Sequence, residues 1–204
     1  MNKLVIASRN KGKIEEIKKI LSIEKVEYLD IEELEFTESL EESGTTFSEN
    51  AFIKAETIFK KHKIPVVSDD SGLSVPYLRG SPGIYSARFA GPDATDDENN
   101  ALLLQMLEGV PAGLRIAQFQ CASCFYYDID KYVMEEGSIG GFITFEPAGE
   151  NGFGYDPLFF LPEYKKTMAQ LSDDEKNAIS HRALSFRKLK PYIEDYFEKG
   201  SSLD

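Results

Sequence analysis

Five apolar runs rich in β-branched residues recur along the chain and predict strands. Three are short and two are long, and they span Lys3–Ala7, Val26–Leu29, Ile64–Ser68, Arg115–Tyr127 and Lys131–Phe145. Only a turn at Asp128–Asp130 separates the two long runs, so we expect them to pair in antiparallel fashion.

Helices are predicted where apolar residues recur every three or four positions. Ile14, Ile17 and Leu21 share one face of a first helix. Capping boxes and apolar spacing predict the others, at Thr46–His62, Thr95–Leu107, a short helix from Ser172, and Ala183–Phe197. This order of elements predicts an α/β or α+β fold with a mixed sheet, built as one domain over residues 1–204.

The net charge of the chain limits the kinds of macromolecule that it is expected to bind. The 204 residues carry a formal net charge of −12, which repels nucleic acid and anionic membranes, so we expect neither as a partner. No apolar run approaches the roughly 18 residues that span a bilayer, and the N-terminal apolar segment is too short for a signal peptide.

The chain contains two cysteines, Cys121 and Cys124, which lie in a predicted strand. Residues three apart on a strand face opposite sides, so we interpret them as buried structural thiols and not as a redox or zinc motif. The absence of a disulfide framework favours a reducing cytoplasm.

The first candidate for chemistry is S-x-N-x-x-K at Ser8, Asn10 and Lys13, between a predicted strand and helix. A helix N-terminus offers free N–H groups and partial positive charge, which suit phosphate. Lys13 is unfavourable there for the helix alone, so an anion would offset it. A phosphate site and an ordinary capped turn both stay open.

Lys54 and the pair Asp69-Asp70 are further candidates. Lys54 shares a helical face with apolar residues, so it either extends to solvent along that face or points into a cleft towards a negative partner. Neighbouring strand residues face opposite sides, so both aspartates reach one cleft only if the strand bends. We expect Ser71-Gly72 to supply this bend, because glycine permits it and serine can bond to local backbone. Paired carboxylates suit Mg²⁺, although a solvated turn is the alternative.

Two later stretches carry aromatic and basic groups. In G-F-G-Y-D, Gly152–Asp156, the glycines allow close backbone approach and Phe153 or Tyr155 could stack on a base; the alternative is a turn with its aromatics in the core. Lys176, His181 and Arg182 form a cluster of hydrogen-bond donors in an acidic region.

Six motifs, in order along nearly the whole chain, resemble the inosine triphosphate pyrophosphatase family. They are SRNKGKIEE, EESGTTFSENAFIKA, SDDSGL, GSPGIYSARFAG, FEPAGENGFGYDPLFF and EKNAISHRALSFRKL. The resemblance implies an elongated mixed β-sheet flanked by helices, with two lobes around a central cleft. It further implies a Mg²⁺-dependent homodimer that cleaves ITP, dITP and XTP to the monophosphate and pyrophosphate. Arg9 stands where many relatives have glycine.

The resemblance also implies roles for individual residues. The triphosphate would be held by Lys54 and by Ser8, Arg9, Asn10, Lys11, Gly12 and Lys13. Glu42 and Asp70 would bind the metal, and Asp70, Asp69 and Lys54 would be catalytic. Glu42 is chosen over Glu38 and Glu41 by motif alignment alone. Sugar and base would be bound by Ser71, Phe153, Gly154, Tyr155, Asp156, Lys176, His181 and Arg182.

The chemistry agrees with these roles. Hydrogen-bond donors suit the 6-oxo acceptor of hypoxanthine or xanthine and leave adenine mismatched. Guanine shares the 6-oxo group, so its exclusion must occur at the 2-amino group. Two alternatives stay open, namely a related pyrophosphatase acting on modified pyrimidine or standard triphosphates, and a nucleotide sensor without turnover.

Overall fold

The computed structural model describes residues 2–38, 40 and 42–200. Within them lie five α-helices: α1 (Lys11–Leu21), α2 (Phe47–His62), α3 (Asp96–Met106), α4 (Asp173–Ile179) and α5 (His181–Lys199). The strands are β1 (Asn2–Ile6), β2 (Val26–Asp30), β3 (Val66–Ser74), β4 (Ile116–Asp128), β5 (Lys131–Ile143), β6 (Phe159–Leu161) and β7 (Lys166–Thr167).

The seven strands found in the described residues form one sheet in the order β2-β1-β3-β4-β5-β6-β7. Strand β1 is parallel to both β2 and β3, whereas β6 is antiparallel to β5 and β7. The sheet is therefore mixed and open, which confirms the predicted α/β class. Strands β6 and β7 were missed because runs of three and two residues leave no periodic signal.

The chain divides into two compact units, in agreement with the expected two lobes. The first contains Met1–Asp70, Cys121–Gly137 and His181–Asp204, and the second contains Ser71–Gln120 and Ser138–Ser180. The single domain over residues 1–204 and the central cleft stay predictions.

In the first unit, strand alternation builds two apolar layers. Val5 and Val66 pack in the same buried cluster as Ala51 and Ala55 of α2. Leu4, Ile6 and Val67 instead belong to a cluster with the apolar faces of α1 and α5. Successive strand residues thus serve opposite sides of the sheet, as the period of two requires.

Strand β3 continues through the aspartate pair to Ser74, so the predicted strand end at Ser68 and the bend at Ser71-Gly72 are wrong. The backbone stays extended there, and alternation continues through the motif. Ser68 donates a hydrogen bond to the carbonyl oxygen of Ala51 on α2, which fixes that side of the strand. Asp69 and Asp70 accordingly point to opposite faces of the sheet.

The two cysteines on β4 are free and buried, as predicted. Cys124 lies in the apolar cluster with α2, whereas the Cys121 sulfur lies 4.0 Å from Asp69 Oδ2 on the other face. Burial raises the pKa of both thiols to about 12. They are therefore protonated and facing apart at neutral pH.

The second unit has its own core, to which α3, β6 and the ends of the long strands contribute. Its largest buried members include Leu73, Leu103, Phe119, Tyr155 and Phe159. The predicted capping boxes at Thr95 and Ser172 are both formed. No helix in the described part of the chain is long and apolar enough to cross a membrane.

Candidate active site

The turn between β1 and α1 is the first part of the candidate site. Asn10 caps α1 by accepting a hydrogen bond from the Lys13 backbone N–H at 3.1 Å, and Ser8 Oγ accepts from the Asn10 N–H. The first turn of α1 contains no acidic side chain but does contain Lys11 and Lys13. The helix start thus concentrates positive charge where the macrodipole is also positive.

Asp69 supplies an anion beside that turn. Its carboxylate lies 3.1 Å from Lys13 Nζ and is fully buried. The negative partner expected for Lys13 is therefore present within the protein itself. This ion pair ties the start of α1 to β3.

Arg182, near the start of α5, is the second cation at Asp69. Its guanidinium lies 3.2 Å from Asp69 Oδ2 and forms a short ion pair with Glu16 of α1. The Arg182 side chain is 1% exposed. Asp69 and Glu16 thus hold it inside the first unit.

On the opposite face of β3, Lys54 lies between two carboxylates. Its Nζ is 3.0 Å from Glu42 Oε1 and 3.4 Å from Asp70 Oδ1. Lys54 is on the buried face of α2, and its side chain is only 7% exposed. Of its two sequence-based interpretations, the structure supports the inward one with negative partners.

The Asn50 side chain connects Asp70 to the backbone near Glu42. Its amide Nδ2 donates to Asp70 Oδ2 at 3.0 Å, while its Oδ1 accepts from the Gly44 N–H at 2.8 Å. One buried side chain therefore connects β3 to the segment that carries Glu42. Asn50 was not predicted, although a polar residue one helical turn before Lys54 on the same buried face is a usable signal.

Protonation equilibria differ between the two aspartates. Burial raises the pKa of Asp69, but Lys13 and Arg182 outweigh it and hold that pKa well below its usual range. Burial also raises the pKa of Asp70, and there Lys54 offsets it only in part, so the net shift is upward. For Lys54, burial lowers the pKa but the surrounding carboxylates raise it overall. Asp69 is therefore the firmly ionised partner, and Asp70 is the more basic one.

A second cluster lies in the second unit, in the predicted G-F-G-Y-D stretch. Lys176 of α4 donates to Asp156 Oδ2 at 2.7 Å, and its Nζ lies 4.4 Å from the centroid of the Phe153 ring. The same Asp156 oxygen accepts from the Phe153 N–H at 3.0 Å. Gly152 has φ +78, and a Cβ there would collide with the Asp156 carboxylate, so glycine is needed at this position.

Tyr155 faces away from this cluster. The ring is 4% exposed, lies in the core of the second unit, and donates its hydroxyl hydrogen to the Ser86 carbonyl oxygen. The structure thus favours the core interpretation for Tyr155, while the half-buried Phe153 stays the stacking candidate.

The predicted donor trio is divided between the two units. Lys176 belongs to the second, whereas His181 and Arg182 begin α5 in the first, with Arg182 bound to Asp69 and Glu16.

Two further predicted nucleotide-binding residues are Arg9 and Ser71. Arg9 donates to the carbonyl oxygens of Phe36 and Glu38. Ser71 is half-buried on β3 in the second unit. The nucleotide-binding roles of these residues stay predictions.

The three candidate glutamates occupy different positions. Glu38 pairs with Lys61 at 2.7 Å on the surface, and Glu41 lies outside the described residues. Glu42 is the one that shares Lys54 with Asp70. Among the described residues, no group of three or more His, Cys, Asp or Glu side chains is placed to hold a metal.

Fold and site together define an α/β protein with a capped, basic helix start and a buried lysine–carboxylate cluster, features that suit phosphate chemistry. The chain matches the model of the Ham1 family over residues 4–192 and belongs to that family. This confirms the resemblance read from the six motifs.

Named relatives and solved structures agree with this assignment. The chain is 46% identical over 194 residues to a dITP/XTP pyrophosphatase of Bacillus licheniformis, covering 95% of this chain and 99% of that one. Its fold matches the Staphylococcus aureus Ham1 protein with a TM-score of 0.85 at 41% identity, covering 95% and 98% of the two chains. A HAM1 protein from Coxiella burnetii matches with a TM-score of 0.86 at 36% identity, covering 96% and 100%.

Proposed function

We propose that this chain hydrolyses the noncanonical purine nucleoside triphosphates ITP, dITP and XTP to the nucleoside monophosphate and pyrophosphate. Its activity would keep these bases out of DNA and RNA. The relatives named dITP/XTP pyrophosphatase, similar over nearly their whole length, support the substrate class. The observation that carries the proposal is the contact of the buried Lys54 ammonium with both Glu42 and Asp70.

The triphosphate is assigned to the β1–α1 turn and to Lys54. Backbone N–H groups at a helix start bind phosphate oxygens, and the basic first turn of α1 adds attraction. Lys54 contributes a buried ammonium, which acts more strongly on a phosphate than an exposed one does. Lys13 and Asp69 keep the turn in place through their ion pair.

Glu42 and Asp70 are the residues proposed to hold Mg²⁺. Both carboxylates reach the same ammonium, so they already lie close together, and Lys54 offsets their repulsion. A pair fits this ion, because Mg²⁺ is commonly held by one or two carboxylates together with substrate phosphates and waters. When bound, the ion would stabilise negative charge on the phosphoryl oxygens.

Asp70 is assigned as the base. Its carboxylate is buried beside Lys54 and one of its oxygens is bound by Asn50, so it is fixed in position to accept a proton from a water at the site. A water attacking phosphorus would give its proton to this carboxylate as the bond to the leaving pyrophosphate breaks. Asn50 would orient Asp70 through the hydrogen bond to Oδ2.

The cluster in the second unit is assigned to the base. The Phe153 ring offers a stacking surface, and Lys176 offers a donor for the 6-oxo oxygen of hypoxanthine or xanthine. Adenine presents an amino donor at that position, and a buried donor left without an acceptor discriminates by orders of magnitude. His181 and Arg182 stay assigned to the same task, although Arg182 must then exchange a carboxylate partner for the base.

Homodimer formation and a cytoplasmic location belong to the same proposal. Leu114, Ile116 and Phe145 expose large apolar side chains in the second unit, which supports burial against a second copy. The two free, buried thiols support a reducing compartment.

The proposal is tested by measuring monophosphate formation by chromatography for ITP, XTP, dITP, GTP, ATP and TTP, with Mg²⁺ and with EDTA. We expect ITP, dITP and XTP to be turned over far faster than the others, and only with Mg²⁺. Faster turnover of TTP or ATP would favour the alternative pyrophosphatase. Nucleotide binding without turnover of any substrate would favour the sensor.

A further inference from the structure

The start of α3 contacts the loop that carries Phe153. This helix begins after the capping box of Thr95, and its first two turns contain the polar sequence Asp96–Asn100. Asp96 is exposed, whereas Asn99 and Asn100 are 3% and 9% exposed. Nothing in the six motifs or in the proposed roles uses these residues.

Side chains of α3 bind both backbone polar groups of Gly154. The Gly154 N–H donates to Asp96 Oδ2 at 2.6 Å, and the Gly154 carbonyl oxygen accepts from Asn100 Nδ2 at 3.0 Å. Gly154 has φ +61, and a Cβ there would meet no atom within 4 Å. Glycine is thus required by the backbone conformation that α3 holds, and not by lack of space.

These contacts fix the residue before Gly154 as well. The Phe153 N–H is bound to Asp156, whose carboxylate also receives Lys176, and Lys176 lies over the Phe153 ring. With Gly154 held on both sides, the Phe153 backbone is anchored at its own N–H and at the following peptide. The Phe153 ring and the Lys176 ammonium are therefore held in a fixed position relative to each other.

Asn99 makes the same type of contact with the neighbouring loop. Its Nδ2 donates to the Ala87 carbonyl oxygen at 3.3 Å, and its Oδ1 accepts from the Ala90 N–H at 2.8 Å. The adjacent pair Asn99-Asn100 thus anchors two glycine-containing loops to one helix.

We propose that Asp96, with Asn100, is a positioning residue that sets nucleotide affinity by holding the Phe153–Gly154 peptide. The inference rests on the proposed function, in which Phe153 and Lys176 contact the base. Asp96 acts on the Phe153–Gly154 peptide and has no part in the proposed proton transfer to Asp70, so its loss should weaken binding and leave the chemical step intact.

The kinetic test compares Asp96→Ala with Asp97→Ala in ITP hydrolysis. Asp97 lies in the same exposed first turn, and in the described part of the chain its carboxylate makes no hydrogen bond to the loop. We expect Asp96→Ala to raise KM about tenfold, the effect of losing one charge-assisted hydrogen bond, with kcat within about twofold of wild type. Asp97→Ala should match wild type. Asp96→Asn, which keeps an acceptor oxygen, should restore most of the affinity.

Equal KM values for Asp96→Ala and Asp97→Ala would overturn the inference, as would a loss confined to kcat. Hydrogen exchange of the Gly154 amide, followed by NMR, gives a readout that needs no turnover. We expect exchange at least about tenfold faster in Asp96→Ala than in wild type or Asp97→Ala. Should wild type fail to hydrolyse ITP, the proposed function falls, and this exchange rate still decides the positioning role: an unchanged rate overturns it.

Discussion

Replacing Arg182 by methionine removes the guanidinium that Asp69 and Glu16 share inside the first unit. Methionine keeps the apolar length of the side chain, so the change is mainly one of charge and hydrogen bonding. Arg182 is 1% exposed and bonds to both carboxylates. After the substitution, Glu16 loses this partner, while Asp69 retains Lys13 at 3.1 Å.

Removing one partner of a buried ion pair costs about 3–5 kcal/mol, because the remaining charge stays buried. Since Lys13 still compensates Asp69, we expect the lower end, about 3 kcal/mol of unfolding free energy. For a chain of this length that corresponds to a fall in Tm of about 6–12 °C.

The measurement is urea unfolding at pH 7 followed by far-UV circular dichroism, with Tm from a thermal scan. Arg187→Met is the control, since Arg187 is exposed on the same helix and interactions of exposed charges contribute little, so we expect it to change stability by less than about 1 kcal/mol. Combining Arg182→Met with Asp69→Asn should cost less than the sum of the two. If Arg182→Met costs no more than Arg187→Met, the buried pairing does not exist in solution.

Three further predictions concern the base, the packing of β5 and the thiols. Asp70→Asn should lower ITP turnover by about 10²–10⁴-fold with an unchanged circular dichroism spectrum, and near-normal activity would exclude Asp70 as the base. Gly137→Ala should destabilise the protein by about 1–3 kcal/mol in urea unfolding, because its Cβ would lie 2.5 Å from the Ser185 backbone nitrogen. Gly140→Ala, with open space on the same strand, is the control, and equal losses would contradict the close approach. Cys121 and Cys124 should resist Ellman's reagent at pH 8 and react fully in guanidinium; fast labelling of the native protein would refute their burial.

Local patterns in the sequence predicted much of the fold. Capping boxes placed the starts of α3 and α4, and the period of two placed Asp69 and Asp70 on opposite faces. The expected bend at Ser71-Gly72 was wrong because glycine permits a turn without requiring one, and here the strand continues to Ser74.

The sequence could not predict which charged residues form ion pairs with one another. Arg182 pairs with Asp69, 113 positions away, and with Glu16, 166 positions away. No periodicity within one helix or strand reports such distant contacts. Glu16 had one local signal, because it lies three residues after Lys13 on the same face of α1.

We expect the site around Asp70 and Lys54 to release pyrophosphate from ITP. Phosphorus-31 NMR of ITP incubated with the protein and Mg²⁺ tests it directly, since it distinguishes pyrophosphate from orthophosphate. We expect IMP and pyrophosphate in equal amounts, with no orthophosphate, and loss of both products in Asp70→Asn. Orthophosphate with IDP, or unchanged ITP, would contradict it.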